Sequence, residues 1–238
     1  MRVFLLGATP RFDLTAATSS AERLRLTSGN TGNQLIAHGL LETFKHTSVN
    51  WDYRVGADRA EAESDVIVVA AANFIYRGFD LGGMADFIGR TKLPVVMAGL
   101  GAQAPGRNFD VSTIPAGTLR FLKIVSERSR SIGVRGAFTA ETLAKVGITN
   151  CEEIGCPSYY LNGERGFVIQ PRGLMPDDPV VVHASRDVIS HSSAPDRLRA
   201  LIPQLYIEAA RRNGIFVAQT ELDEITVADA PFSSLAVA

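Results

Sequence analysis

Short runs of Val, Ile and other apolar residues punctuate this chain, and their spacing leaves little choice of fold class. Val3–Leu6, Val66–Ala72 and Pro94–Leu100 are followed by Ser131–Val134, Val180–His183 and Ile215–Ala218. The runs are rich in Val and Ile and apolar at successive rather than alternate positions, the pattern of strands covered on both faces. Stretches of helical period lie between them. Asn33–Phe44 puts Leu35, Ile36, Leu40 and Phe44 on one side. Leu119–Ser126 is another, Thr139–Val146 opens on a capping Thr139 and closes on Gly147, and Leu198–Arg212 ends at Asn213-Gly214. Strand and helix in alternation predict an α/β fold built on a Rossmann-like, mostly parallel sheet.

Gly, Pro and charge cluster over Gly163–Pro179, which divides the chain into an N-terminal lobe over residues 1–165 and a partial C-terminal lobe over 175–238. The second lobe begins a βαβ unit and runs for roughly 60 residues, where a doubly wound domain generally needs more than about 100. The expectation is an incomplete second lobe in a truncated product. An incomplete lobe leaves an apolar sheet face exposed, which invites pairing with another copy of the chain as a homo-oligomer.

Composition removes several partners. The formal net charge of the 238 residues is -1, from 24 Lys and Arg against 25 Asp and Glu, which argues against nucleic acid and anionic membranes. No apolar run is long enough to span a bilayer, and the N-terminus lacks a signal-peptide pattern. Cys151 and Cys156 read as structural thiols of a reducing cytoplasm, not as a disulfide or a zinc site. The expected location is cytoplasmic, and the sequence neither indicates nor excludes a metal.

In an open α/β sheet, ligands bind beyond the carboxyl ends of the strands. Four loops in the first lobe qualify. The loop after the first strand ends Asn30-Thr31-Gly32-Asn33-Gln34 and runs into a helix, so it offers either backbone N–H groups to a ligand or a simple Asn cap. Asn73 and then Asp80 follow the second strand. Gly99-Leu100-Gly101-Ala102-Gln103 follows the third; it fits G-x-G-x-x-A nominally, but Pro105 and Gly106 interrupt the helix that a dinucleotide site requires. Arg135 follows the fourth, placed to grip a carboxylate or phosphate or else to pair with Glu141 on the surface. Arg186 holds the equivalent place in the second lobe, just past His183.

Taken together, these segments resemble the polysaccharide pyruvyl transferase family. Asn30–Gln34 resembles its N-x-G-[DN] opening, Ala70–Phe74 its G-G-G-N-[LF] strand end, and Leu93–Gln103 its proline-led strand and glycine turn. Ser126–Ser158 resembles its I-x-V-R-x-x-x-[ST]-x-x-x-L-x-x-x-G segment and the G-x-P-[SA] that follows. The match is strong over residues 1–160 and weaker beyond.

The resemblance implies a two-lobed, GT-B-like fold with the site between the lobes. It also implies transfer of the pyruvate unit of phosphoenolpyruvate, a substrate and not a cofactor, to hydroxyls of a cell-surface or exported polysaccharide or its precursor, forming a ketal. On this chain it places Arg135 on the donor's anionic end with Arg186 as a second cation. Asn73 and Asp80 would line the pocket, Asn30, Gly32 and Asn33 would face the sugar, and Gly101 and Gln103 would complete the binding set. The catalytic candidates are Arg135, Asp80 and His183. The family's glycines are Ala70–Ala72 here, and His183 is not obviously the replacement for its late second-lobe histidine. Two alternatives share the architecture: a non-catalytic sugar- or nucleotide-binding module, and a glycosyltransferase using a nucleotide sugar.

Overall fold

The computed structural model describes residues 1–7, 22, 30, 32–104, 109–164, 166–171, 173, 175, 178, 180–183, 189 and 192–217. The chain divides into two compact units: Met1–Arg11 with Asn33–Arg165, and Phe12–Gly32 with Gly166–Ala238.

The first unit is an α/β fold around a six-stranded, all-parallel sheet. Its strands are β1 (Arg2–Gly7), β2 (Ser48–Asn50), β3 (Val66–Ala70), β4 (Val95–Leu100), β5 (Ile132–Val134) and β6 (Cys151–Glu153). They lie in the order β2-β1-β3-β4-β5-β6. The order reverses between β1 and β3, so the topology is doubly wound and Rossmann-like, with the β1 and β3 ends at the switch point.

Successive residues of β1 and β3 and, Val96 apart, of β4 are buried because helices cover both faces. On one face Val3, Leu5, Val66, Val68 and Ala98 pack with Ala37, Leu40 and Leu41 of α1 (Gly32–Glu42). On the other, Phe4, Leu6, Ile67, Val69, Met97 and Val134 meet the remaining helices of the unit. These are α2 (Gly56–Glu63), α3 (Gly82–Gly89), α4 (Ala116–Arg128) and α5 (Ala137–Ala144), which contribute Ala60, Ile88, Phe121 and Leu143 among others. Fully burying each large side chain contributes about 1.5–3 kcal/mol, so this two-sided core is what holds the sheet.

Local detail departs from the sequence reading at several points. Leu35 does not share the buried face of α1: it is half exposed, and Ile36, Ala37, Leu40 and Leu41 form that face. Thr139 is not a cap. It is the third residue of α5, whose N-terminal cap is Gly136, and it is buried. At the other end of that helix Gly147 takes φ +83°, as a helix-stopping glycine should.

The second unit contains β7 (Val181–His183), α6 (Pro195–Arg211) and β8 (Ile215–Val217). The two strands pair in parallel and the helix connects them, a βαβ unit with Val182, Ile202, Tyr206 and Ala209 buried. Asn213 in the left-handed region (φ 49°) and Gly214 turn the chain from α6 into β8. Among the described residues, no helix is long and apolar enough to cross a membrane.

Candidate functional site

Three loops at the carboxyl edge of the first unit's sheet converge on one guanidinium. Their approach starts with an irregularity in β4. Met97 pairs with Ile132 and Leu100 with Val134, so three steps of β4 run against two of β5. A bulge of this kind re-aims the chain beside it. Gly99 sits inside it at φ +81°, and a Cβ there would lie 2.5 Å from Pro157 Cδ and 3.0 Å from Ala71 O. Glycine alone fits both the conformation and the space.

The bulge presents a carbonyl to Arg135, the residue that follows β5. Arg135 Nε donates to Gly99 O at 2.7 Å, and its backbone N–H donates to Leu100 O at 2.9 Å. Its Nη1 donates to Asn73 Oδ1 at 3.2 Å, and Asn73 Nδ2 donates in turn to Gln103 Oε1 at 3.4 Å. Arg135 Nη2 is buried and has no hydrogen-bond partner among the described residues. A buried charged donor without an acceptor carries a desolvation cost, and an anionic oxygen offsets it. The side chain is thus held at Nε and Nη1, while Nη2 has no partner among the described residues. Glu141, the surface partner weighed for Arg135, takes no part in these bonds.

The glycine turn after β4 is fitted to this arrangement. A Cβ on Gly101 would run into Asn73 Oδ1 and come within 3.3 Å of Arg135 Cδ. Without it, Asn73 and Arg135 meet over the bare backbone. The turn is fixed on both sides. Gly101 N donates to Ala72 O at 2.9 Å, Ile75 N to Gly101 O at 3.1 Å and Gln103 N to Ile75 O at 2.9 Å. From the other side, Ala102 N donates to Thr139 Oγ1 at 3.0 Å.

The structure therefore brings together four of the expected residues: Asn73, Gly101, Gln103 and Arg135. The other expected residues make different contacts or lie outside the described residues. Asp80 is exposed, and its Oδ1 accepts from Gly82 N at 2.8 Å at the start of α3. It also lies against Gly117 of α4, where any Cβ would collide with it. No hydrogen bond among the described residues joins Asp80 to Arg135. Asn33 opens the first unit's second segment, whereas Asn30 and Gly32 fall in the second unit, where Asn30 Oδ1 accepts from Gly32 N at 2.9 Å. His183 also belongs to the second unit, with Nδ1 2.9 Å from Val217 O across the β7–β8 pair. Arg186 lies outside the described residues.

Thr139, Gly99 and Pro157 were not singled out by sequence as parts of this site. Each stands in a motif that the sequence does display, but the contacts Thr139–Ala102, Gly99–Arg135 and Gly99–Pro157 join residues 36 or more positions apart. Local pattern carries no such information.

Residues 30–227 match the family model described as polysaccharide pyruvyl transferase. No curated protein and no solved structure matches the chain.

Proposed function

Because the chain belongs to the polysaccharide pyruvyl transferase family, we propose that it moves the pyruvate unit of phosphoenolpyruvate onto hydroxyls of a cell-surface or exported polysaccharide, or its precursor. The observation that carries this reading is the Arg135 guanidinium, held by Gly99 O and Asn73 with Nη2 buried and unpartnered among the described residues. It lies where an open α/β sheet binds its ligands. A planar cation restrained on two nitrogens suits the carboxylate or phosphate of the donor.

In this reading an acceptor hydroxyl oxygen bonds to C2 of the donor while C3 gains a proton and becomes a methyl group. The C2–O bond to phosphate then breaks, and a second hydroxyl oxygen closes the ketal. Two O–H bonds are lost, one C–H bond forms, and the remaining proton leaves with the phosphate or a base. Arg135 offsets the donor's charge throughout. Asp80, in the loop after β3, is the proposed proton-transfer group, since a carboxylate is suited to that work. A GT-B-like second lobe and a cytoplasmic location complete the proposal.

The test offers phosphoenolpyruvate with a panel of diol-bearing glycans and follows inorganic phosphate by phosphorus NMR and the ketal by mass spectrometry. The expected result is phosphate release matched by ketal formation, lowered about a hundredfold or more in Arg135→Ala. Donor binding without phosphate release on any glycan would favour the non-catalytic binding module instead.

A further inference from the structure

Thr139 was expected to cap a helix, yet its hydroxyl is buried inside α5 and turned towards another loop. Its Oγ1 accepts the Ala102 amide, and that amide is the middle one of the glycine turn whose neighbours Gly101 and Gln103 are bonded on the opposite side. The turn is thus held from the β3 loop by Ala72 and Ile75 and from α5 by Thr139. Arg135, just ahead of α5, bonds the end of β4 through Leu100 O and Gly99 O and the β3 loop through Asn73 Oδ1.

These ties set one another's geometry. If Ala102 moves away from α5, Gly101 moves with it, and Gly101 is the residue over which Asn73 and Arg135 meet. Gln103, which accepts from Asn73, shifts as well. We infer that Thr139 is a positioning residue for the donor site: its hydroxyl pins Ala102 so that the turn holds Asn73 and Arg135 in register for the anion. The inference rests on the reading of Arg135 as the phosphoenolpyruvate anchor. Thr139 itself touches neither donor nor acceptor in this role.

Thr142 provides an internal control. It is also buried in α5, but its Oγ1 donates to Phe138 O at 2.8 Å within the same helix and bonds to no loop among the described residues. Valine at either position removes a buried hydroxyl of nearly equal size. Only Thr139→Val frees the turn.

The experiment titrates phosphoenolpyruvate into the full chain by calorimetry for wild type, Thr139→Val, Thr139→Ser and Thr142→Val, with amide exchange of Ala102 followed in the ligand-free proteins. Thr139→Val is expected to bind about tenfold more weakly and to exchange Ala102 faster, because that amide has lost its acceptor. Thr139→Ser, which keeps the hydroxyl, should restore affinity, and Thr142→Val should bind like wild type. Equal affinity in Thr139→Val, no recovery in Thr139→Ser, or the same loss in Thr142→Val overturns the inference and leaves the Arg135 reading standing. A wild-type chain that does not bind phosphoenolpyruvate overturns the donor reading, and this inference with it. Should Thr139→Val not fold, Thr139→Cys, whose sulfur is a weak acceptor, replaces it under the same outcomes.

Discussion

Two glycines two positions apart, Gly99 and Gly101, do different work, and a single added methyl group separates their roles. At Gly99 a side chain meets both a left-handed backbone (φ +81°) and the ring of Pro157 at 2.5 Å. Gly99→Ala should therefore destabilise the fold, by about 1–3 kcal/mol from the backbone conformation alone, with the contact adding to it. At Gly101 the obstacle is the movable amide of Asn73 and the Arg135 side chain. Gly101→Ala should leave a folded protein in which Asn73 has swung away and phosphoenolpyruvate binds more weakly. Chemical denaturation and calorimetry run on both variants check the contrast. A Gly101→Ala protein with wild-type affinity would show that the Asn73–Arg135 contact is not needed for the donor.

At the scale of elements, the start of β1 is tied to the start of β3 by one residue pair. Arg2 Nε and Nη2 donate to Asp65 Oδ1 at 3.0 and 2.8 Å, and Arg2 N donates to Asp65 Oδ2 at 2.7 Å. The side-chain bonds from Arg2, then its backbone bond, hold the Asp65 carboxyl below its ordinary value of 3.8. A carboxyl whose folded value is depressed contributes stability above its unfolded value and loses it as pH falls through the folded one. The wild-type thermal midpoint should therefore fall below about pH 4 more steeply than that of Asp65→Asn. The pair is about half exposed, so the difference is small and shrinks in salt. Parallel acid profiles would contradict the assignment.

The strands buried on both faces were legible as apolar runs, because two covering helix layers leave no polar alternation. The edge strands were not. Ser48-Val49-Asn50 and Cys151-Glu152-Glu153 pair on one side only and keep polar residues, so no apolar run announces them. α2 (GADRAEAE) buries little more than Ala57 and Ala60, and α3 (GGMADFIG) starts on two glycines, which hides both from a search for apolar stripes. Thr139 was misread for a related reason. A threonine ahead of an apolar helix has the pattern of a cap, and only the packing of β4 beside β5 reveals that its hydroxyl is claimed by Ala102.

For the whole molecule, the family match runs over residues 30–227 and so spans both compact units. The loops after β3, β4 and β5 were legible as a ligand edge because strand ends in a parallel sheet share one side, whatever their distance in sequence. Which of their side chains meet was not legible, since that depends on the bulge at Gly99 and the space left by Gly101. In the proposed reading Arg135, restrained by Gly99 O and Asn73, anchors phosphoenolpyruvate through Nη2, which has no partner among the described residues. Calorimetric titration of phosphoenolpyruvate into wild type and Arg135→Ala tests it most directly. Binding in the wild type that weakens by about 10- to 100-fold or disappears in the variant is the result predicted for a lost charge-assisted contact. Equal affinity in the two proteins would remove Arg135 from the donor site and contradict the account.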